Sequence, residues 1–419
     1  MITYQRARSI IIERVGMGGA TLRIESVALA EAFGRVLAWD VTADRDYPPF
    51  NRSTRDGYAV RAGEVREGAT LACVGEIRAG DAPAFAVRAS ECVQIMTGAA
   101  LPAGADAVVM IEHTSRAGDS VRFTREARVG QSVVAQGSEA RAGQIVLRSG
   151  MRVGFSESAQ AAQVGAAQLS CFARPRVAIL STGDEIVPFA STPGPFQIRN
   201  SNAVSLAAQV RMAGGEPVLL GNAADREDDL WEKISAGLRK DILILSGGVS
   251  MGKYDLVEKV LREMGAEFFF DAVAIRPGKP AVFAMCEGKP VFGLPGNPVS
   301  TMVTFELFVV PAIDLRGGAQ ARPLPMVEAM VAEDLHEKPG MTHFLPAHVT
   351  WPAAEPAHAD GNAESLTEGV AAKVKALSWQ GSGDIAAMVR ANCFLVVDGE
   401  LSQVAAGTRM PVILRKDVV

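Results

Sequence analysis

The residues that could do chemistry gather in five short stretches between positions 181 and 300. They are STGDE (181–185), RNSN (199–202), SGGVSMGKYD (246–255), RPGKP (276–280) and PGNPVS (295–300). Each joins small residues, which let a ligand approach the backbone, to hydroxyls, carboxylates or cations that would hold it. Ser246, Gly247, Gly248 and Ser250 follow the apolar run 242–245 and precede an amphipathic pattern at Leu256, Val257, Val260, Leu261 and Met264. A glycine turn between a strand end and a helix start bares backbone N–H groups. The helix dipole reinforces them, so this stretch can hold an anion. An ordinary tight strand-to-helix turn uses the same glycines. Residues 247–253 match the start of a phosphate loop, G-x-x-x-x-G-K, but Tyr254 stands where the magnesium-binding hydroxyl belongs. Phosphate binding is therefore expected here, without P-loop triphosphatase chemistry.

Asp184, Glu185 and Asp255 come just after strands. Carboxylates at such positions can hold a Mg²⁺ that bridges substrate phosphates. Singly, Asp184 and Asp255 could equally cap a turn and a helix; the three together point to the metal. Arg276 and Lys279 flank a Pro-Gly turn stiffened by Pro277 and Pro280. Two cations held with little freedom suit an oxyanion. Ser181, Thr182 and Gly183 close the strand before Asp184. Pro295 and Pro298 frame a helix start with Ser300 in its first turn, a further source of N–H donors. Elsewhere, Asp56 lies in RDGYAV, Thr97 in QIMTGA and Ser382 in QGSGD, each also readable as a common turn pair. The five histidines form no HExxH and no His/Cys pair at zinc spacing, and there is no GxSxG nucleophile elbow.

Positioning these stretches requires a sheet edge. From 174 to 318 strand and helix patterns alternate, which predicts a mostly parallel α/β/α sheet with helices on both faces. Ligands of such sheets bind outside the carboxyl ends of the strands, where all five stretches would then converge. Residues 299–315 are expected to form one helix. Residues 46–140 are rich in turn formers and short β-like runs and predict an inserted small β domain. Residues 1–45 and 141–173 have helical spacing, including Val27, Leu29, Ala30, Phe33, Val36 and Leu37 on one face, and predict a single interrupted linking helical domain. Residues 319–419 predict a C-terminal β domain with a polar loop at 353–368.

The 419 residues are too many for one core. Apolar residues make up 48% and charged residues 21%, as in soluble globular proteins, and the net charge of −5 argues against a nucleic-acid partner. Five scattered cysteines with no CxxC fit reduced thiols in the cytoplasm. The sequence contains no apolar run of membrane-spanning length, and its first residues lack signal-peptide features.

PPFNRSTRDGYAV, QIMTGA, STGDEIV, SGGVSMGKYD, RPGKP, GLPGNPVS and QGSGD occur in this order. In content and order the set resembles the molybdopterin molybdenumtransferases, the molybdenum-insertion enzymes of molybdenum-cofactor biosynthesis related to the gephyrin E domain. The resemblance covers essentially the whole chain. It implies a four-domain homodimer that takes adenylylated molybdopterin and molybdate with Mg²⁺ and releases AMP. It implies an active site between the α/β domain of one subunit and the inserted β domain of the other, with Asp56 and Thr97 contributed across the interface. Arg276, Lys279, Ser300 and Ser382 would then bind the oxyanion, and SGGVSMGKYD would cradle the nucleotide or pyrophosphate. Asp184, Glu185 and Asp255 would hold the metal and orient the phosphoanhydride, with Asp255 and Lys279 among the catalytic groups. The chain departs from the resembled pattern at Val134, Glu139, Arg226, Met341 and Pro346. Loss of arginines at 134, 341 and 346 bears on oxyanion binding more than on fold. A paralogue inserting tungstate, and a pterin-nucleotide-binding scaffold without turnover, are the alternative expectations.

Overall fold

A computed structural model describes residues 1–17, 22–247, 256–352 and 371–418. The chain divides into two compact units. One comprises Met1–Glu25, Gly34–Val36 and Cys171–Val419, the other Ser26–Phe33 and Leu37–Ser170.

The first unit is built on a six-stranded sheet whose centre is Ile242–Ser246. Successive side chains of a strand point to opposite faces. Ile242 and Ile244 therefore join one apolar core, while Leu243 and Leu245 join the other. Arg176–Thr182 and Lys289–Leu294 flank the centre in parallel, and Glu216–Ala223 adds a further parallel strand. Val282–Cys286 runs against them, and Glu267–Phe270, antiparallel to Val282–Cys286, runs with the central strands again. The sheet is thus mostly parallel, as expected, but mixed through one reversed strand. The reason is local: only Glu287 and Gly288, both at positive φ, connect Cys286 to Lys289. A two-residue connection makes a hairpin and cannot span a parallel crossover.

One face of the sheet is covered by Glu227–Leu238 and Leu256–Glu263. The other is covered by Ser201–Ala213, by Pro298–Arg316 and by Tyr4–Met17. Tyr4, Ala7, Ile11 and Val15 of this first helix enter the α/β core. The helical expectation for the rest of 1–45 does not hold. Beyond the helix, the described residues form the strand Ile24–Ala28, one 3₁₀ turn at Leu29–Glu31 and the short strand Val41–Thr42. Val27 and Leu37 are buried but Phe33 is 68% exposed, and Gly34 at φ 76° breaks the run, so no single helix face collects them.

Pro298–Arg316 is one continuous helix, but its middle, Phe305–Val309, is π-helical. Pro311 explains the irregularity. Proline has no N–H for the carbonyl four residues back and crowds it, which a widened turn accommodates. That carbonyl belongs to Leu307, and Arg8 Nη1 from the first helix donates to it at 2.9 Å. Although long and apolar enough to cross a membrane, this helix is mostly buried in the core.

Residues 326–414 form a closed barrel. Thr342–Thr350, Lys373–Ala376, Met326–Val331, Arg409–Leu414 and Cys393–Val397 pair in that order, and the last pairs back to the first. Closure pairs each of these five strands on both sides. Ile275–Arg276 adds in parallel beside Thr342 and His343, tying the RPGKP turn to the barrel.

The second unit holds a six-stranded sheet in the order Ala107–Met110, Gly57–Val60, Glu91–Ile95, Thr70–Ile77, Ser120–Phe123 and Thr114–Ala117. Gly57 permits the central pairing: a Cβ there would lie 1.9 Å from the Val109 carbonyl oxygen. The helix Phe155–Gln163 also belongs to this unit.

Candidate functional site

The central strands end side by side, with Ser181 in register with Ser246. Beyond them opens a cavity of about 470 Å³, lined by Ser181, Thr182, Gly183, Glu185, Ser246, Gly247 and Pro295 among the expected residues. Its hydroxyls are held in place. Asn200 Nδ2 donates to Ser181 Oγ at 2.9 Å, and Asn202 Nδ2 donates to Ser246 Oγ at 3.0 Å and to the Gly296 carbonyl at 2.8 Å. Asn200 also caps Ser201–Ala213 by accepting from the Ala203 N–H. Gly247, at φ 91°, has room for no side chain, because a Cβ would sit 2.8 Å from the Thr182 carbonyl oxygen. Thr182 Oγ1 and Asn202 Oδ1 are buried and find no hydrogen-bond partner among the described residues. A buried polar atom left unpaired is costly, and these two fit a polar ligand.

The acidic side of this cavity carries Glu185 and Asp225. Asp184 Oδ1 accepts from the Asp225 N–H at 3.3 Å. Burial first, then the charges of Asp184 and Glu185, push the Asp225 carboxyl above its ordinary range. A divalent cation would relieve this crowding of like charges, so the donor set suits Mg²⁺ chemically. Among the described residues no three His, Cys, Asp or Glu side chains are already grouped to hold a metal. Asp255, Gly248 and Ser250 lie outside the described residues.

A second cavity, of about 550 Å³, shares Pro280, Pro295 and Asn297 with the first. Arg276, Lys279, Ser300 and Ser382 meet there, brought from three separate stretches. Neither cation forms an ion pair among the described residues. Gly278, at φ 109°, makes the turn between them, and a Cβ there would come within 2.6 Å of Thr304 Cγ2. The Val299 N–H donates to the Ser382 carbonyl at 2.9 Å, fixing the QGSGD loop on the helix start. Pro298 lines neither cavity and occupies the first turn of its helix, where a missing N–H costs nothing.

Sequence reasoning did not assign Asn200, Asn202, Asp225, Asn297, Trp379 or Gln380, all of which line these cavities. The RNSN stretch carried a signal for the first two, because Asn200 precedes a helical pattern as a cap should. Asp225 and Trp379 had none. Of the departures, Met341 lines the second cavity. Pro346 sits in a barrel strand opposite Phe394, Arg226 pairs with Asp228, and Glu139 pairs with Arg52 at 2.9 Å. Val134 pairs with Arg52 in a short ladder.

In the second unit, Asp56 and Thr97 form a pair of their own. Asp56 Oδ1 accepts from the Thr97 N–H at 2.7 Å and from its hydroxyl at 2.8 Å. The backbone bond first, then the hydroxyl, hold the Asp56 carboxyl below its ordinary value of 3.8. A depressed carboxylate contributes stability above its unfolded pKa and loses it as pH falls through the folded value. Thr97→Val removes the smaller of the two causes. The Asp56 titration, followed by carboxyl ¹³C NMR, should move upward but stay below 3.8. An unmoved midpoint would remove the hydroxyl from the account.

An α/β sheet with two joined polar cavities at its carboxyl edge, followed by a closed barrel, defines a multidomain α/β-plus-barrel protein. Three family models match in order: "MoeA N-terminal region (domain I and II)" over residues 2–165, "Probable molybdopterin binding domain" over 178–315 and "MoeA C-terminal region (domain IV)" over 328–414. The chain is 36% identical over 361 residues to the molybdopterin molybdenumtransferase of Nostoc sp., covering 82% of this chain and 83% of that protein. It is 32% identical over 411 residues to that of Haemophilus influenzae, covering 97% of each. A crystal structure of the molybdopterin biosynthesis MoeA protein from Pyrococcus horikoshii matches with a TM-score of 0.80 at 27% identity, over 99% of this chain and 100% of that one. The chain belongs to the molybdopterin molybdenumtransferase family.

Proposed function

We propose that this chain is a molybdopterin molybdenumtransferase of molybdenum-cofactor biosynthesis, which accepts adenylylated molybdopterin and molybdate and releases AMP. The observation that carries this reading is the meeting of Arg276, Lys279, Ser300 and Ser382 in a cavity that shares a wall with the first one. The first cavity suits the pterin nucleotide: hydroxyls at two strand ends, oriented by asparagines, meet a polar substrate. The second suits a tetrahedral dianion, which two fixed cations and two serines can surround.

In this reading Arg276 and Lys279 bind and orient molybdate, and Ser300 and Ser382 complete its contacts. Ser181, Thr182 and Ser246 orient the pyrophosphate end. Asp184, Glu185 and, from its place in the sequence, Asp255 would hold Mg²⁺, with Asp225 beside them. When bound, Mg²⁺ would neutralise charge on the AMP leaving group. Asp56 and Thr97 belong to the same site through a second subunit of a homodimer, and the four-domain division is part of this proposal. The free state of all five cysteines supports a cytoplasmic setting.

The test is turnover of the purified chain with adenylylated molybdopterin and either molybdate or tungstate, measured as AMP released. Release with molybdate is expected, and release with tungstate alone would make the chain a tungsten-inserting paralogue. No AMP with either oxyanion would leave a pterin-nucleotide-binding scaffold as the reading.

A further inference from the structure

A third cavity, of about 310 Å³, lies where the α/β layer meets the barrel and shares no lining residue with the other two. Its walls come from Ser201–Ala213 and Pro298–Arg316, the helices whose first turns hold Asn202 and Ser300, and from the barrel segment 388–417. Met212, Met302, Met388 and Phe394 make it apolar. Methionines adapt to varied ligand shapes, and such a volume with few convergent polar groups is typical of a small-molecule pocket.

Gln209 and Glu306 are joined in the lining by Ser205, Arg415, Lys416 and Asp417. Glu306 lies in the π-helical turn, a distortion frequent at functional sites. Gln209 Nε2 donates to Glu306 Oε1 at 2.8 Å and to the Met302 carbonyl at 3.2 Å, which uses both amide hydrogens. Its Oε1 is buried without a hydrogen-bond partner. Burial pushes the Glu306 carboxyl above its usual range, against the Gln209 hydrogen bond. Of the charged groups around it, Lys416 and Arg322 lower that pKa and Asp417 raises it. Arg415 is committed to the Ala391 carbonyl at 2.7 Å, the Met388 carbonyl and Asp417. The hydrogens of Gln209 and the Arg415 fork are already spent and Lys416 has a partner of its own, so Gln209 Oε1 is left as an acceptor beside the Glu306 carboxyl.

We propose that this cavity binds a small primary amine with an apolar body, its ammonium between Gln209 Oε1 and the Glu306 carboxylate and its hydrocarbon against the methionines. A cation supplies the donor that Gln209 lacks and the counter-charge that a buried carboxylate requires. This site is independent of the oxyanion chemistry.

The test uses the full chain labelled with ¹³C-methyl methionine, titrated with n-hexylamine and, as the uncharged comparison, n-hexanol. The resonances of Met212, Met302 and Met388, assigned by Met→Leu substitution, should shift saturably with hexylamine while that of Met110, which does not line the cavity, stays in place. Hexanol should bind about tenfold or more weakly. Glu306→Gln should abolish the preference for the amine. Equal binding of amine and alcohol, no shift at millimolar hexylamine, or an undiminished preference in Glu306→Gln would overturn the proposal. The amine–alcohol comparison decides on the unsubstituted protein if that variant fails to fold.

Discussion

Replacing Arg276 and Lys279 together with alanine should lower AMP release by at least about a hundredfold, a loss comparable to removing one preorganised donor from a developing anion. Both side chains line the second cavity and neither is spent on an ion pair among the described residues. The backbone that carries them is held by the pairing of Ile275–Arg276 with Thr342 and His343 and by the close fit of Gly278 against Thr304. Their charges are thus presented without a reorganisation cost during reaction. The loss should fall on molybdate use. Binding of the pterin nucleotide, which contacts the neighbouring cavity, should change much less. Arg276→Lys should recover only part of the rate, because an ammonium cannot reproduce the two-pronged contact of a guanidinium. A double variant that releases AMP within a few-fold of the unsubstituted rate would remove these residues from oxyanion binding.

Asp314→Ala should cost about 3–5 kcal/mol of stability, the usual penalty for breaking a buried ion pair. The Asp314 side chain is fully buried and accepts from Arg322 Nε at 2.8 and 3.0 Å and from the Arg322 N–H at 3.0 Å. Arg322 Nη2 also donates to the Ala213 carbonyl at 2.8 Å, so the pair fastens the end of Ser201–Ala213. Removing the carboxylate leaves a partly buried guanidinium without its anion, and Arg8 loses the charge that favours its own protonation. Urea unfolding should show the first transition at lower denaturant. AMP release per folded molecule should be unchanged, since Asp314 lines neither of the joined cavities. An unshifted transition would mean that the pair contributes no net stability.

The α/β layer was legible because its strands are continuous apolar runs and each polar stretch follows one directly. The two cavities follow from that placement, and the RPGKP, PGNPVS and QGSGD stretches meet as their chemistry suggested. The one reversed strand, Val282–Cys286, was not legible because its direction is set by the two residues Glu287 and Gly288, a smaller signal than the apolar runs around them. The helical expectation for 22–45 failed because apolar spacing over a short window does not reveal which residues are buried; Phe33 faces solvent. Asp225 was silent because a lone aspartate after a strand looks like any turn residue. Only the fold brings it beside Asp184 and Glu185.

The bond from Arg8 to the Leu307 carbonyl joins residues 299 positions apart, and this spacing has a consequence during synthesis. At roughly 5–20 residues per second, the ribosome makes the helix Tyr4–Met17 roughly 15–60 s before the carbonyl it serves. Throughout that interval the face bearing Tyr4, Ala7, Ile11 and Val15 lacks part of the core it will enter. Nascent chains of this protein therefore carry an incompletely docked apolar helix for most of their translation, a surface that a ribosome-associated chaperone could recognise. Full docking of the helix waits still longer than Leu307, because Phe344, Phe394 and Ile413 of the same core are made later.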